Sequence, residues 1–306
     1  MKRLYYAGVA AALIASALVA RAQQQAPAPA QVPPPAPAAA APPPTATTKV
    51  TDNVYFFRYV GHQAMFIVTP AGVIATDPIS LRRPAKPYID AIQAVTKAPI
   101  KYVIYSHSHF DHSAGGQPFK DLGATFVAHR NAKERIQALK PPDVVVPDQV
   151  VDDRKVITLG GTTLELLYVG KNHSNSTLVM RLPKEKIIFT VDWIPIQGVQ
   201  FRIMDDTYIP DIEEGLKKVI AMDWETLIPG HPGSGGKQTG TKDNAREDLA
   251  YLQDLSAAVK QEVAQSKSYD DAIKDISLPK YAAWPNYKNF LPMNIERYYD
   301  YWNRGI

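Results

Sequence analysis

The chain has 306 residues, 45% of them hydrophobic and 21% charged, with a formal net charge of +4. That length suits one sizeable α/β domain. The absence of cysteine excludes a disulfide framework and thiolate metal ligands, and the lack of a basic tail or of aromatic–basic interleaving excludes a nucleic-acid partner.

The first segment, residues 1–22, opens with Lys2 and Arg3, continues as an Ala-rich apolar run and ends in Ala20-Arg21-Ala22, a small-x-small cleavage pattern. It has the form of a secretory signal peptide. The run is shorter than the ~20 residues of a spanning helix, so cleavage is expected, with no stable membrane insertion afterwards. With neither a cysteine nor a twin-arginine pair, the expected route is general secretion to the periplasm or the medium. Loss of Lys2, Arg3 and Arg21 takes the formal charge from +4 to +1. Residues 23–49, dominated by Pro, Ala and Gln, cannot bury a core and favour extended polyproline II. They are expected to form a disordered linker, leaving 50–306 as the folded domain.

Within that domain, VYFFRYV (54–60), AMFIVT (64–69) and GVIATD (72–77) are strand-like, rich in β-branched and aromatic residues and separated by turn residues. RPAKPYIDAIQAVTK (83–97) has a helical pattern opened by proline. IKYVIYS (100–106) is an apolar strand, followed by a helix at 116–123, the strand ATFVAH (124–129) and a helix at 130–140. Residues 150–170 are expected to form two strands joined at Gly160-Gly161, and 176–192 two more turned at Pro183-Lys184. A helix over 211–222, a short strand TLIPG (226–230) and an amphipathic helix over 243–266 follow, the last with Leu249, Leu252, Leu255 and Val259 on one face. The aromatic C-terminus (281–306) is expected to be a helical extension that packs on the domain. Hairpins in both halves, with helices between them, indicate an α/β fold of four layers, an αββα sandwich.

The sequence VIYSHSHFDHSAGG (103–116) places three of the seven histidines and an aspartate within six positions, just past an apolar strand. Imidazole and carboxylate are the zinc donors open to a cysteine-free catalytic site, and loops at strand ends carry function on a rigid scaffold. His107 and His109, two apart, point the same way in extended backbone. Asp111 and His112 come after the chain turns and can face a neighbouring position. His173, Asp192 and His231 each follow a strand as well. His62 and His129 stay outside this set as ordinary polar groups. The glycine-rich 233–240 fails as a phosphate loop, because His231 stands where its first glycine is needed and Gln238 where Ser or Thr should follow Lys237.

The pattern His107-x-His109-x-Asp111-His112, then His173, Asp192 and Pro229-Gly230-His231, resembles the metallo-β-lactamase superfamily of hydrolases over about 50–235. The resemblance implies two zinc ions, one held by His107, His109 and His173 and the other by Asp111, His112 and His231, with Asp192 and a hydroxide bridging them. It implies Asp111 as the proton-relaying catalytic side chain, and Asp77 orienting ligands without binding metal. Asn172-His173-Ser174 departs from the usual Gly-His-Thr, and Pro78 follows Asp77 in place of a small residue. Asp at 192 is the choice of lactonases, thioesterases and phosphodiesterases, whereas true β-lactamases carry Cys or Ser there. The implied reaction is therefore hydrolysis of a small-molecule ester, lactone or thioester. β-Lactam hydrolysis and a mononuclear-iron oxygenase resembling sulfur dioxygenases are the alternatives. The sequence leaves the oligomeric state open.

Overall fold

The computed structural model describes residues 44–306. Its first sheet consists of β1 (Thr45–Lys49), β2 (Val54–Tyr59), β3 (His62–Thr69), β4 (Gly72–Thr76), β5 (Ile100–Ile104), β6 (Thr125–His129) and β7 (Gln149–Val151), side by side in chain order. β1 to β4 run antiparallel and β4 to β7 parallel. The parallel steps require crossovers. These are α1 (Lys86–Val95) after β4, the short α2 (Phe110–Ser113) and α3 (Gln117–Asp121) after β5, and α4 (Arg130–Leu139) after β6. The second sheet holds β8 (Arg154–Leu159), β9 (Thr162–Leu167), β10 (Val179–Leu182), β11 (Ile187–Thr190) and β12 (Thr226–Pro229), in the order β12-β11-β10-β9-β8. Its parallel pair, β11 and β12, is connected through α5 (Asp211–Ala221). α6 (Lys242–Ala264), α7 (Tyr269–Asp275) and α8 (Tyr287–Arg304) complete the chain.

Side-chain alternation along the strands builds three apolar layers. Phe56, Met65, Ile67, Ile74, Ile104 and Val127 of the first sheet meet Leu164, Leu166, Met180, Phe189 and Ile228 of the second in a central core. The opposite face of the first sheet, with Phe57, Phe66, Val103 and Phe126, packs on Tyr88 and Ile92 of α1, Phe119 of α3 and Ile136 of α4. The opposite face of the second, with Val179, Ile188 and Leu227, packs on Leu216, Leu252, Leu255, Val259, Ile295 and Tyr298 from α5, α6 and α8. Burial on both faces explains why the central strands read as continuous apolar runs. The result is the expected αββα sandwich. The aromatic C-terminal helix is a packing surface, as expected, with Leu291, Ile295 and Tyr298 buried.

Three expectations are corrected. Thr45–Lys49, assigned to the linker, form β1, whose threonines suit an edge strand paired with β2 from Thr45↔Tyr59 to Lys49↔Tyr55. The single strand expected from 150 to the Gly160-Gly161 turn is broken at Asp152-Asp153. Its first part joins the first sheet as β7 and its second part joins the other sheet as β8. At the break, the exposed Arg130 donates to Asp152 at 2.6 Å. α7 was not anticipated; Ser268 caps it by accepting from the Asp271 amide. The expected signal peptide over 1–22 and the expected linker over 23–43 lie outside the described residues. No described helix is long and apolar enough to cross a membrane.

Candidate metal centre

The site lies at one edge of the sandwich, where β4, β5, β11 and β12 end and β3 begins. Asp77 follows β4, His107 to His112 follow β5, Asp192 follows β11 and His231 follows β12. His173 lies in the turn between β9 and β10. Asp77 and Asp192 both have left-handed backbone, φ 23° and 72°. Non-glycine residues held that way at strand ends mark a site where strain is supported by the surrounding structure. Two glycines allow the close packing. A Cβ on Gly115, at φ 87°, would come within 2.3 Å of Ser80 Cβ, and one on Gly230 within 2.4 Å of Val191 Cγ1.

The seven residues singled out from the sequence converge. Asp192 stands between two groups. Its Oδ2 lies 3.5 Å from His107 Nε2, 3.1 Å from His112 Nε2 and 3.6 Å from His173 Nε2. Its Oδ1 lies 3.0 Å from His231 Nε2. On one side, ligand-type atoms of His107, His109, His173 and Asp192 lie within 4.8 Å of one another. On the other, those of His62, Asp111, His112 and His231 do the same. The sequence reading left His62 out, and the structure corrects it. The residue opens β3 with its Nε2 3.3 Å from Asp111 Oδ2. His129 stays outside, its Nδ1 accepting from the Asn131 amide at the start of α4.

Neighbouring groups fix which ring nitrogen faces the centre. His231 Nδ1–H donates to the Gly61 carbonyl at 2.6 Å, so Nε2 turns a lone pair inward. His109 Nε2–H donates to Asp206 Oδ2 at 2.5 Å, so Nδ1 faces His173 Nε2 at 3.1 Å. His107 Nδ1 bonds Ser106 Oγ at 2.9 Å, and its buried Nε2 has no hydrogen-bond partner. Asp77 accepts the Ser106 amide at 2.7 Å, and its second oxygen lies 3.7 Å from His112 Nδ1, beyond hydrogen-bond distance. Asn172 and Ser174 have a structural use. The Asn172 amide donates to the Ser174 carbonyl, and Ser174 Oγ bonds Ser176 and Thr177, which closes the His173 turn on itself.

The electrostatics suit cations. Burial lowers the His107 and His173 imidazoles, the latter to about 4, so both are neutral donors. Burial also lowers His62. It opposes a charge on His112, yet Asp192, Asp111 and Asp77 overcome it and raise that group to about 9. Burial would raise Asp192 and Asp111 too. Nearby imidazoles prevail, His112 first for Asp192 and His62 first for Asp111, and hold both below the usual carboxylate range. Asp77 is raised by burial to about 6. The carboxylates that raise His112 would also attract a metal cation. The inward lone pair of His231 facing Asp192 Oδ1, and the unpartnered His107 Nε2, are donors that such a cation satisfies. The donor set therefore fits two divalent ions. Zinc suits imidazole and carboxylate ligands without thiolate.

Asp206 is the second residue that sequence reasoning missed. It sits in the irregular segment between β11 and α5, where no periodicity or spacing marks it. α8 anchors that segment, with Asn294 donating to the carbonyls of Gln200 and Arg202 and Arg297 to that of Thr207.

Comparison with known proteins agrees with this geometry. The family model described as the metallo-beta-lactamase superfamily matches residues 61–231. The 2,4-dinitroanisole O-demethylase subunit alpha of Nocardioides sp. (strain JS1661) is 25% identical over 185 residues, covering 60% of this chain and 54% of its own length. The metallo-beta-lactamase type 2 of Elizabethkingia meningoseptica is 25% identical over 149 residues, covering 46% of this chain and 58% of its own. This chain thus spans only a little over half the length of the curated relatives it matches. Among solved structures, the stereoselective inverting sec-alkylsulfatase Pisa1 from Pseudomonas sp. superposes with a TM-score of 0.66 at 17% identity, over 84% of this chain and 50% of that one. At that identity the likeness shows the fold alone. With the family model spanning β3 to the end of β12 and every ligand-type residue of its motif gathered at one sheet edge, the chain belongs to the metallo-beta-lactamase superfamily.

Proposed function

We propose that the protein is a zinc-dependent hydrolase that cleaves a small ester, lactone or thioester. The observation that carries this reading is Asp192, whose two oxygens address His107, His112 and His173 on one hand and His231 on the other. His107, His109 and His173 would hold one ion and Asp111, His112 and His231 the other, with Asp192 shared. A bound pair supplies Lewis acidity toward a carbonyl and lowers the pKa of water toward neutrality.

The chain's own residues do the rest. Asp111, anionic and 40% exposed, accepts the proton of the attacking water and delivers it to the departing heteroatom. The buried His107 and His112 and the carboxylate of Asp77 keep the donors in place without rearrangement during the reaction. The charge of Asp192 dampens the Lewis acidity of the pair, which favours substrates with good leaving groups or ring strain. The relatives bear the names of an O-demethylase, a β-lactamase and a sec-alkylsulfatase, so the fold alone does not choose the substrate.

The test is elemental analysis of the purified protein together with a panel of short esters, lactones, thioesters, a chromogenic cephalosporin, an alkyl sulfate and an aryl methyl ether. About two zinc per chain and highest kcat/KM on the acyl substrates are expected. A cephalosporin value about a hundredfold above all others would make this a β-lactamase, and one iron in place of zinc would support the oxygenase alternative. We also place the mature chain in the periplasm or medium. Exported protein should begin at or near Gln23, and an intact Met1 on a cytoplasmic product would refute this.

A further inference from the structure

His62 belongs spatially to the second group of donors. It differs from His109 and His231 in what it turns toward the centre. Arg83 Nη2 lies 3.3 Å from His62 Nδ1. A guanidinium has donors only, so Nδ1 must be the acceptor and carry the lone pair. In a neutral ring the single proton is then on Nε2, which faces Asp111 Oδ2 at 3.3 Å. His109 and His231 turn bare nitrogens inward because their other nitrogens donate to Asp206 and Gly61. His62 turns an N–H inward. A ring so polarised is a hydrogen-bond donor to a ligand and a poor ligand itself.

The frame around this pair is rigid. Arg83 Nη1 donates to the Tyr59 carbonyl at 3.1 Å, and its guanidinium lies over the Tyr59 ring, 4.8 Å from the centroid. The next residue, Gln63, is fully buried. Its amide donates to the Gly230 carbonyl at 2.7 Å and its side chain to the Pro229 carbonyl at 2.9 Å, so the start of β3 is tied to the end of β12. Asp111, by contrast, sits on the four-residue α2 with its side chain partly exposed. Its carboxylate is the more exposed of the two proposed to ligate, 40% against 11% for Asp192.

We propose that Arg83 and His62 form a positioning relay in which Arg83 fixes the His62 proton on Nε2 and that N–H holds Asp111 Oδ2, leaving Oδ1 as the oxygen presented to the second ion. Both are positioning residues. The relay rests on the two-ion reading of the site, but its proton placement is measurable without metal.

Two measurements test it. The first is histidine 15N NMR on metal-free protein at neutral pH. The relay requires His62 in the Nε2–H form, with Arg83→Met releasing that preference. An Nδ1–H form in the wild type overturns it, whether or not the protein binds metal. The second uses Co2+ as the probe, titrated into metal-free protein, with visible absorption and chelator competition to separate the two ions. His62→Leu is expected to weaken the second ion about tenfold and spare the first. Arg83→Met should weaken the second ion in the same direction, the double variant should lose no more than His62→Leu, and His62→Gln, whose amide can still donate, should restore most of the loss. If Arg83→Met tightens the second ion or leaves it unchanged, or if His62→Gln binds as poorly as His62→Leu, His62 is not acting as a donor through this relay. A wild type that binds no Co2+ at all defeats the two-ion reading instead, and the NMR result then decides the relay alone.

Discussion

Asp206→Ala tests whether a residue with no place in the motif tunes the first ion. Its Oδ2 accepts from His109 Nε2 at 2.5 Å, and the same ring presents Nδ1 to His173 and the centre. Removing the carboxylate frees the ring to rotate and to exchange tautomers, which puts a proton on the metal-facing nitrogen in part of the population. Hydrogen bonds to charged groups contribute about 1.5–3 kcal/mol, and loss of a carboxylate behind a metal-bound histidine costs 10–100-fold in affinity as a rule of thumb. The Asp206 side chain is 46% exposed, so water screens and partly replaces it. The lower end applies, about tenfold or ~1.4 kcal/mol. Chelator competition on the first ion should show that loss, with the second ion unaffected. Asp206→Asn, which retains an acceptor oxygen, should fall between wild type and Ala. Equal affinity in wild type and Ala would show that the bond seen here does not orient His109, and the tautomer argument for that ring would fail.

Asp192→Asn should lower occupancy of both ions together, because the carboxylate is shared; elemental analysis that still gives about two ions per chain would refute the bridge. Asp248 is fully buried on α6 with a single hydrogen bond, from Gln200, and burial holds its carboxyl well above the usual range. The folded chain therefore keeps a proton that the unfolded chain releases above about pH 4, and stability falls as pH rises from there, by up to ~1.4 kcal/mol per pH unit. Asp248→Asn should flatten that slope and be more stable than wild type in urea at pH 7 but not at pH 4; parallel slopes would refute the assignment. Leu255→Ala, at a fully buried position of α6, should cost about 2–5 kcal/mol in urea unfolding.

The layers of the fold were legible because the strands carry their period openly. Phe56 and Phe57, adjacent in sequence, fall into different cores, and so do Phe66 and Ile67. An apolar run with residues for both faces belongs between two layers, and hairpins in both halves supply two sheets. The break at Asp152-Asp153 was not legible. Nothing local distinguishes a strand that continues from one that changes sheets, because the change lies in which neighbour each part pairs with, β6 for β7 and β9 for β8.

The site divides along the same line. The donors from His107 to His112 were legible because one loop holds them, and His173, Asp192 and His231 because each closes or follows a strand in an order the superfamily shares. His62 and Asp206 act through partners fixed only by the tertiary structure. His62 acquires its role when Gln63 ties β3 to the carbonyls of Pro229 and Gly230, which brings the His62 ring to 4.5 Å from that of His231. Asp206 acquires its role when α8, nearly ninety residues downstream, fixes the carbonyls of Gln200, Arg202 and Thr207. The metal-facing shell is thus set by spacing along the chain, while the shell that fixes its protons is set by the packing of β3 and α8. The residues that hold the donors from behind are accordingly where a superfamily with one ligand pattern has room to differ in chemistry. In this chain Arg83, His62 and Asp206 are the positions at which such a difference would be written.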